Sequence, residues 1–155
     1  MSSIIAGQPA PDFEAQSTAG SLRLADTLGH KLVIYFYPRD NTPGCTTETA
    51  DFRDHWQAFR DTDCYVVGVS RDSMSSHKKF SDKLGLPFPL IADPDEVLCS
   101  LFEVMRDKNM YGKLVRGIER STFLVDRQGN LAKVWRGVKV PGHVEAVLQA
   151  TRELD

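Results

Sequence analysis

Apolar positions fall into two patterns along the chain, short unbroken runs and helically spaced sets, and they alternate. Lys31–Tyr37 is a run of strand length in which Leu32, Val33, Ile34, Tyr35, Phe36 and Tyr37 follow one another. That pattern predicts a central strand covered on both faces. Tyr65–Ser70 predicts a second buried strand and Pro89–Ala92 a short third. Between these runs the period changes. Phe52, Trp56 and Phe59 recur at helical spacing within 43–60, Phe80 and Leu84 within 73–84 before Gly85, and Val97, Leu98, Leu101, Phe102 and Met105 within 95–105. Ser121–Val125 and Leu131–Trp135 flank the turn sequence Asp126-Arg127-Gln128-Gly129-Asn130, which predicts an antiparallel hairpin. A weaker alternation over 12–24, centred on Ala19-Gly20, predicts a small N-terminal hairpin. A last helix from Pro141 carries Val144, Val147, Leu148, Thr151 and Leu154 on one face, with Pro141 suited to its first turn.

The resulting order is hairpin, β, α, β, α, β, α, β, β, α. It predicts an α/β protein with a mixed central sheet between two helix layers, in a thioredoxin-like arrangement. At 155 residues, with no repeat, linker or low-complexity tract, the chain is expected to be a single domain over 1–155. Hydrophobic residues at 41% and charged residues at 26% are ordinary for a soluble globular protein. A formal charge of −2 gives no electrostatic reason to expect nucleic acid or an anionic membrane as partner. The N-terminus lacks the basic and apolar regions of a signal peptide, and no stretch approaches the ~18 apolar residues of a membrane span. Three widely separated cysteines form neither a Cys-x-x-Cys pair nor a zinc spacing, so a reducing compartment, the cytoplasm, is expected.

The candidate chemistry centres on Cys45. After the strand ending at Tyr37 come Pro38-Arg39-Asp40-Asn41-Thr42-Pro43-Gly44-Cys45-Thr46, and then a helical pattern. The thiol therefore belongs at the carboxyl end of a buried strand, in the first turn of a helix. Sites form at that edge of an open α/β sheet, and a helix N-terminus favours the reactive thiolate. A lone cysteine is more often a small core residue, and only its Pro, Thr and Gly surroundings reverse that reading. Thr42 before Pro43 also suits a helix N-cap, and Pro38 and Pro43 suit plain turn punctuation. The histidines His30, His55, His77 and His143 share no spacing and read as surface or core residues. His55 lies too far along the helix to act as a base for Cys45.

Pro38-x-x-x-Thr42-x-x-Cys45 resembles the active-site signature of the peroxiredoxins. The run Tyr35-Phe36-Tyr37-Pro38 with Thr42-Pro43-Gly44-Cys45-Thr46 resembles their bacterioferritin comigratory protein (PrxQ) branch. So do Gly7-x-x-Ala10-Pro11-Asp12-Phe13, Lys108–Lys113 and Gly117–Asp126. The resemblance covers nearly the whole chain. It implies a peroxidase without cofactor or metal, in which Cys45 attacks a hydroperoxide and becomes a sulfenic acid. It further implies that Thr42 holds the peroxide, that the N–H groups of Gly44 and Cys45 face its oxygens, and that Arg120 favours the thiolate. Pro38 would shape the pocket, and Glu48, otherwise readable as an exposed helix charge, would orient an arginine. A thioredoxin or glutaredoxin/glutathione partner would return the thiol. A monomer is expected, with a dimer left open.

The chain departs from that pattern at the resolving cysteine. Ala50 and Ser81 occupy the two usual positions. Cys64 begins a strand at the end opposite the active-site edge. Cys99, at 100° per residue, lies roughly 130° from the apolar centre of its expected helix and is therefore expected to be partly exposed. The favoured cycle uses one cysteine and an external thiol, and Cys99 is the candidate resolving residue of the alternative. Among other classes, a disulfide oxidoreductase lacks its second cysteine and a cysteine phosphatase would meet Asp51 where it needs an arginine. A peroxide sensor that oxidises once without turnover remains the serious rival.

Overall fold

The structure, a computed structural model, describes residues 4–155, excluding the Met110 side chain. The expected domain over 1–155 thus includes three residues that lie outside the described ones. The strands are β1 (Glu14–Ser17), β2 (Gly20–Arg23), β3 (Lys31–Phe36), β4 (Cys64–Ser70), β5 (Leu90–Ala92), β6 (Met105–Met110), β7 (Lys113–Ile118), β8 (Ser121–Val125) and β9 (Leu131–Arg136). The helices are α1 (Pro43–Asp54), α2 (Trp56–Asp61), α3 (Met74–Leu84), α4 (Val97–Leu101) and α5 (His143–Glu153), with a short 3-10 turn over Leu24–Thr27.

Seven strands form one mixed sheet in the order β2-β1-β5-β4-β3-β8-β9. β3 runs parallel to β4, Lys31 opposite Cys64 through Phe36 opposite Val69, and antiparallel to β8. Its unbroken apolar run is explained by two-sided burial. Leu32, Ile34 and Phe36 enter one core cluster, and Val33, Tyr35 and Tyr37 the other, as the period-2 pleat requires. The two faces are not equally clad. α1, α2, α3 and α5 contribute to the cluster that holds Cys45, whereas among the described residues α4 is the one α-helix whose buried side chains enter the opposite cluster, alongside Phe13, Val104 and Ile118. Gly68 on β4 accommodates the Tyr35 ring. A Cβ there would fall 2.8 Å from that ring and 2.7 Å from Leu90, so the pairing of Tyr35 with Gly68 lets the ring lie over the sheet and stack on Phe52 at 4.4 Å.

The thioredoxin-like mixed sheet, the N-terminal hairpin and the β8–β9 hairpin agree with the sequence reading. Four details differ. The helix over 43–60 is divided at His55, whose backbone N–H and ring Nδ1 both reach the Asp51 carbonyl; this local competition ends α1. The last helix starts at His143, after Gly142 at φ 76°, and Pro141 lies outside it. The helix over 95–105 shrinks to one turn and a half, bounded by Glu96 and Glu103 in the left-handed region at φ 61° and 57°. The buried Asp93 carboxylate sets its start by accepting from the N–H groups of Leu98 (3.1 Å) and Cys99 (2.9 Å). Met105 then opens a separate hairpin, β6–β7, that the sequence reading lacks. Its turn residues Tyr111 and Gly112 both have positive φ (55° and 79°), as two-residue hairpin turns demand.

The same shortening corrects the placement of Cys99. With Met105 in a strand, the inward face of α4 is Leu98, Cys99 and Phe102, while Val97 and Leu101 point outward. Cys99 is fully buried, not partly exposed. Among the described residues, no helix is long and apolar enough to cross a membrane.

Candidate active site

The β3–α1 connection carries most of the signature. Tyr37 is buried, Pro38 half-buried and Arg39 exposed; Asp40 turns back into the protein, and Asn41 takes a left-handed φ of 64°. Thr42 then stands at the N-cap of α1 with extended backbone, Pro43 fills the first helical position, and Cys45 lies in the first turn. The Thr42 side chain does not cap: its Oγ1 donates to the Arg39 carbonyl at 3.0 Å, which leaves the oxygen lone pairs open. The capping-only reading of Thr42 therefore fails. The Cys45 thiol is 1% exposed, and the helix dipole points its positive end toward it.

Arg120, in the β7–β8 connection, is brought across the sheet edge to this turn. Its Nη2 lies 3.4 Å from Cys45 Sγ and its Nη1 donates to Glu48 Oε1 at 2.6 Å. Cys45 and Glu48 are three residues apart on one helix face, so a single guanidinium bridges both. Gly44 makes room for it, since a Cβ there would lie 3.3 Å from Nη2. Burial works against the charge of Arg120, but Glu48 and Cys45 outweigh it and hold the guanidinium protonated more firmly than usual.

Glu48 is fully buried, not an exposed helix charge. Burial pushes its carboxyl up to about 7, with Arg120 pulling in the opposite direction. Its Oε2 is buried without a hydrogen-bond partner. Behind Arg120, His143 Nε2 and Thr122 Oγ1 are 2.8 Å apart, and burial together with the arginine charge lowers His143 to about 4, so this imidazole is neutral at pH 7. On the other side of Cys45, the Tyr35 hydroxyl donates to Thr49 Oγ1 at 3.0 Å.

Of the predicted residues, Gly44, Cys45, Glu48 and Arg120 come together, and Pro38 and Thr42 lie in the connection that leads into the Cys45 turn, while Cys99 lies elsewhere. It belongs to the core on the opposite face of the sheet. Burial, reinforced by Asp93, pushes the Cys99 thiol far up, and burial pushes Cys64 up to about 12. The sequence reading missed the partners that brace the site: Asp40 and His77 under the loop, and His143 behind the arginine. Asp40 looks like an ordinary turn residue in sequence, and a histidine on a helix gives no sign of what it meets across the fold.

The chain matches the AhpC/TSA family over residues 6–134. It is 47% identical to Peroxiredoxin Bcp of Bacillus subtilis (strain 168), across 96% of this chain and 95% of that one. It is 55% identical to Peroxiredoxin Bcp of Xanthomonas campestris across 80% of this chain and 78% of the relative. Among solved structures, the bacterioferritin comigratory protein of Xanthomonas campestris, described for its alkyl peroxide reduction activity, superposes with a TM-score of 0.87 at 49% identity, covering 91% and 90% of the two chains. BcpB of Mycobacterium tuberculosis superposes with the same TM-score at 29% identity over 98% and 99%. A cysteine in the first helical turn, an arginine on its sulfur and this run of relatives agree: the chain belongs to the peroxiredoxins, in their bacterioferritin comigratory protein branch.

Proposed function

We propose that this protein is a thiol-dependent peroxidase, one domain in a cytoplasmic monomer, that reduces hydrogen peroxide and organic hydroperoxides through Cys45 alone. The observation that carries the reading is the Arg120 guanidinium bridging Cys45 Sγ and Glu48 at the N-terminus of α1. In the first step the Cys45 thiolate attacks the nearer peroxide oxygen. An S–O bond forms, the O–O bond breaks, and the departing oxygen takes a proton and leaves as water or alcohol. Thr42, with its lone pairs open, accepts from the peroxide O–H. The N–H groups of Gly44 and Cys45 and the Arg120 guanidinium face the charge that develops on the oxygens. Pro38 walls the pocket. Glu48 orients Arg120, and because its carboxyl is pushed up to about 7 it is partly neutral at physiological pH, leaving more of the arginine charge to the sulfur.

An external thiol then attacks the sulfenic sulfur and releases water, and a second thiol frees Cys45 from the mixed disulfide. The placement of the other two cysteines supports this one-cysteine cycle. Cys64 stands opposite Lys31, at the far end of β3 from the signature, a separation of roughly 17 Å along the strand. Cys99 packs in the core on the opposite face of the sheet from Cys45, and a disulfide needs Cα atoms within ~7 Å. Thioredoxin or glutaredoxin with glutathione is the class of reductant that fits. The alternatives are a Cys45–Cys99 cycle, which would require dismantling α4, and a sensor that oxidises once.

Cys45→Ser is expected to abolish peroxide consumption without unfolding the protein, and Cys99→Ser to keep most of it with an external thiol. Intact mass after one equivalent of peroxide checks both: one added oxygen supports the cycle, whereas loss of two hydrogens with a Cys45–Cys99 peptide overturns it.

Thr42→Val preserves volume and removes the hydroxyl. Because that hydroxyl caps nothing, the melting temperature is expected to move little while the peroxide rate falls by ~10²-fold, with Thr42→Ser restoring most of it. A normal rate in Thr42→Val refutes the role.

Arg120→Met removes the cation beside the sulfur. The pH midpoint of Cys45 alkylation should rise and peroxide reduction should slow by ~10²-fold or more. An unchanged midpoint would show that Arg120 does not favour the thiolate.

Glu48 binds its proton more tightly folded than unfolded. Its contribution to stability is therefore full below pH ~4.5 and lost as pH rises toward about 7. Melting temperatures between those limits should fall with rising pH, and Glu48→Gln should flatten that slope; the same slope in the variant would assign it to another group.

A further inference from the structure

A second buried charge cluster lies under the catalytic loop, and the chemistry above leaves it without a task. Asp40 and His77 are 5% and 0% exposed. Asp40 Oδ2 meets His77 Nδ1 at 2.8 Å and accepts from Ser76 Oγ at 2.8 Å, and Asp40 Oδ1 accepts from the Tyr37 hydroxyl at 2.7 Å. The Asp40 N–H donates to Asp72 Oδ2 at 2.9 Å. His77 Nε2 lies 2.9 Å from the Ile91 carbonyl, which can only accept, so Nε2 donates there while Nδ1 faces Asp40. Burial alone would raise the Asp40 carboxyl, but His77, Tyr37 and Ser76 more than offset it and hold it below the ordinary range. Asp40, Asp72 and His77 are close enough to suggest a cation site. Yet both His77 nitrogens and both Asp40 oxygens already have protein partners, so the cluster has the character of a fastening.

What it fastens is the loop. Asp40 sits midway between Pro38 and Thr42, next to the left-handed Asn41, and its partners are Tyr37 at the start of the same connection, Ser76 and His77 on α3, and Asp72 in the β4–α3 turn. The bonds tie the connection to α3 and to the β4–α3 turn. Meanwhile Cys45 is almost wholly enclosed, and a thiol must contact its sulfur to reduce it. An enclosure that suits a peroxide excludes a protein thiol, and the connection that Asp40 fastens leads directly into the Cys45 turn.

We infer that Asp40 and His77 are positioning residues that latch the Pro38–Thr42 loop over Cys45, and that release of this buried pair gives the reducing thiol its access. The inference rests on the one-cysteine reading above. It predicts that a weaker latch exposes Cys45 more often while placing Thr42 and Pro38 less well for peroxide.

The test is labelling of the reduced protein with a maleimide, followed by peptide mapping. In His77→Gln and Asp40→Asn, Cys45 labelling should rise by ~10-fold while Cys64 and Cys99 stay protected. Oxidation of Cys45 by peroxide should slow by ~10-fold. The double variant should be no worse than either single one, as for residues that act as a unit. Ser76→Ala removes one hydrogen bond and should raise Cys45 labelling by ~3-fold, which keeps the test usable if the larger changes unfold the protein. A parallel rise at all three cysteines would mean that the pair only supports the fold, and unchanged Cys45 labelling in folded variants would mean that it holds nothing over the site. Either result overturns the latch. Labelling uses no peroxide, so it reads the latch independently; a parent protein that gains no oxygen at Cys45 would instead sink the peroxidase reading.

Discussion

The arrangement depends on one guanidinium held between a sulfur and a buried carboxyl group. Arg120 is 16% exposed in its side chain and Glu48 is completely enclosed. A cation so placed is worth far more to a neighbouring anion than one in water, because little solvent remains to screen it. It is also costly to hold there, and the fold offsets the cost in several ways. α1 directs its N-terminus at the sulfur, Gly44 lacks the Cβ that would crowd Nη2, and Glu48 supplies a counter-charge that its own burial weakens. Were Glu48 exposed and always ionised, it would compete with the thiolate for Arg120. Enclosure turns it into a partner that orients the arginine without fully neutralising it.

The same logic of enclosure explains why the loop is so heavily tied. A helix N-terminus and an arginine can activate a thiol only if the connection between β3 and α1 keeps its shape. That connection includes a non-glycine residue in the left-handed region and two prolines, and Asp40 ties it to two neighbours, accepting from Ser76 on α3 and donating its N–H to Asp72 in the β4–α3 turn. Rigid strands supply the frame and the loop supplies the chemistry, the usual division of labour at the carboxyl edge of an α/β sheet.

Much of this was legible in the amino-acid sequence, for identifiable reasons. The β3 run, the Gly85 stop and the Asp126–Asn130 turn follow from local chemistry. The signature residues are close in sequence, so their convergence needs only one strand, one turn and one helix. The β6–β7 hairpin was not legible, because its strands are rich in Arg, Lys and Asp and largely solvent-facing, with no apolar alternation to read. The extent of α4 was set by Asp93, a residue outside the helix, and counting Met105 as helical rotated the expected apolar face away from Cys99. The Asp40–His77 pair, separated by 37 residues, is a purely tertiary event. Arg120 lies even further from Cys45, and only its resemblance-bearing surroundings marked it.

The division of the core by the sheet has a consequence for how this chain can vary. The buried apolar side chains around Cys45 and those around Cys99 form two clusters separated by the sheet. Substitutions on the α4 face should combine with those on the α1 face almost independently, as changes without shared neighbours do. Sequence drift behind the sheet is thereby uncoupled from the chemistry in front of it. The protein has one half in which methyl groups can be exchanged against overall stability, and another in which each side chain also answers to the sulfur.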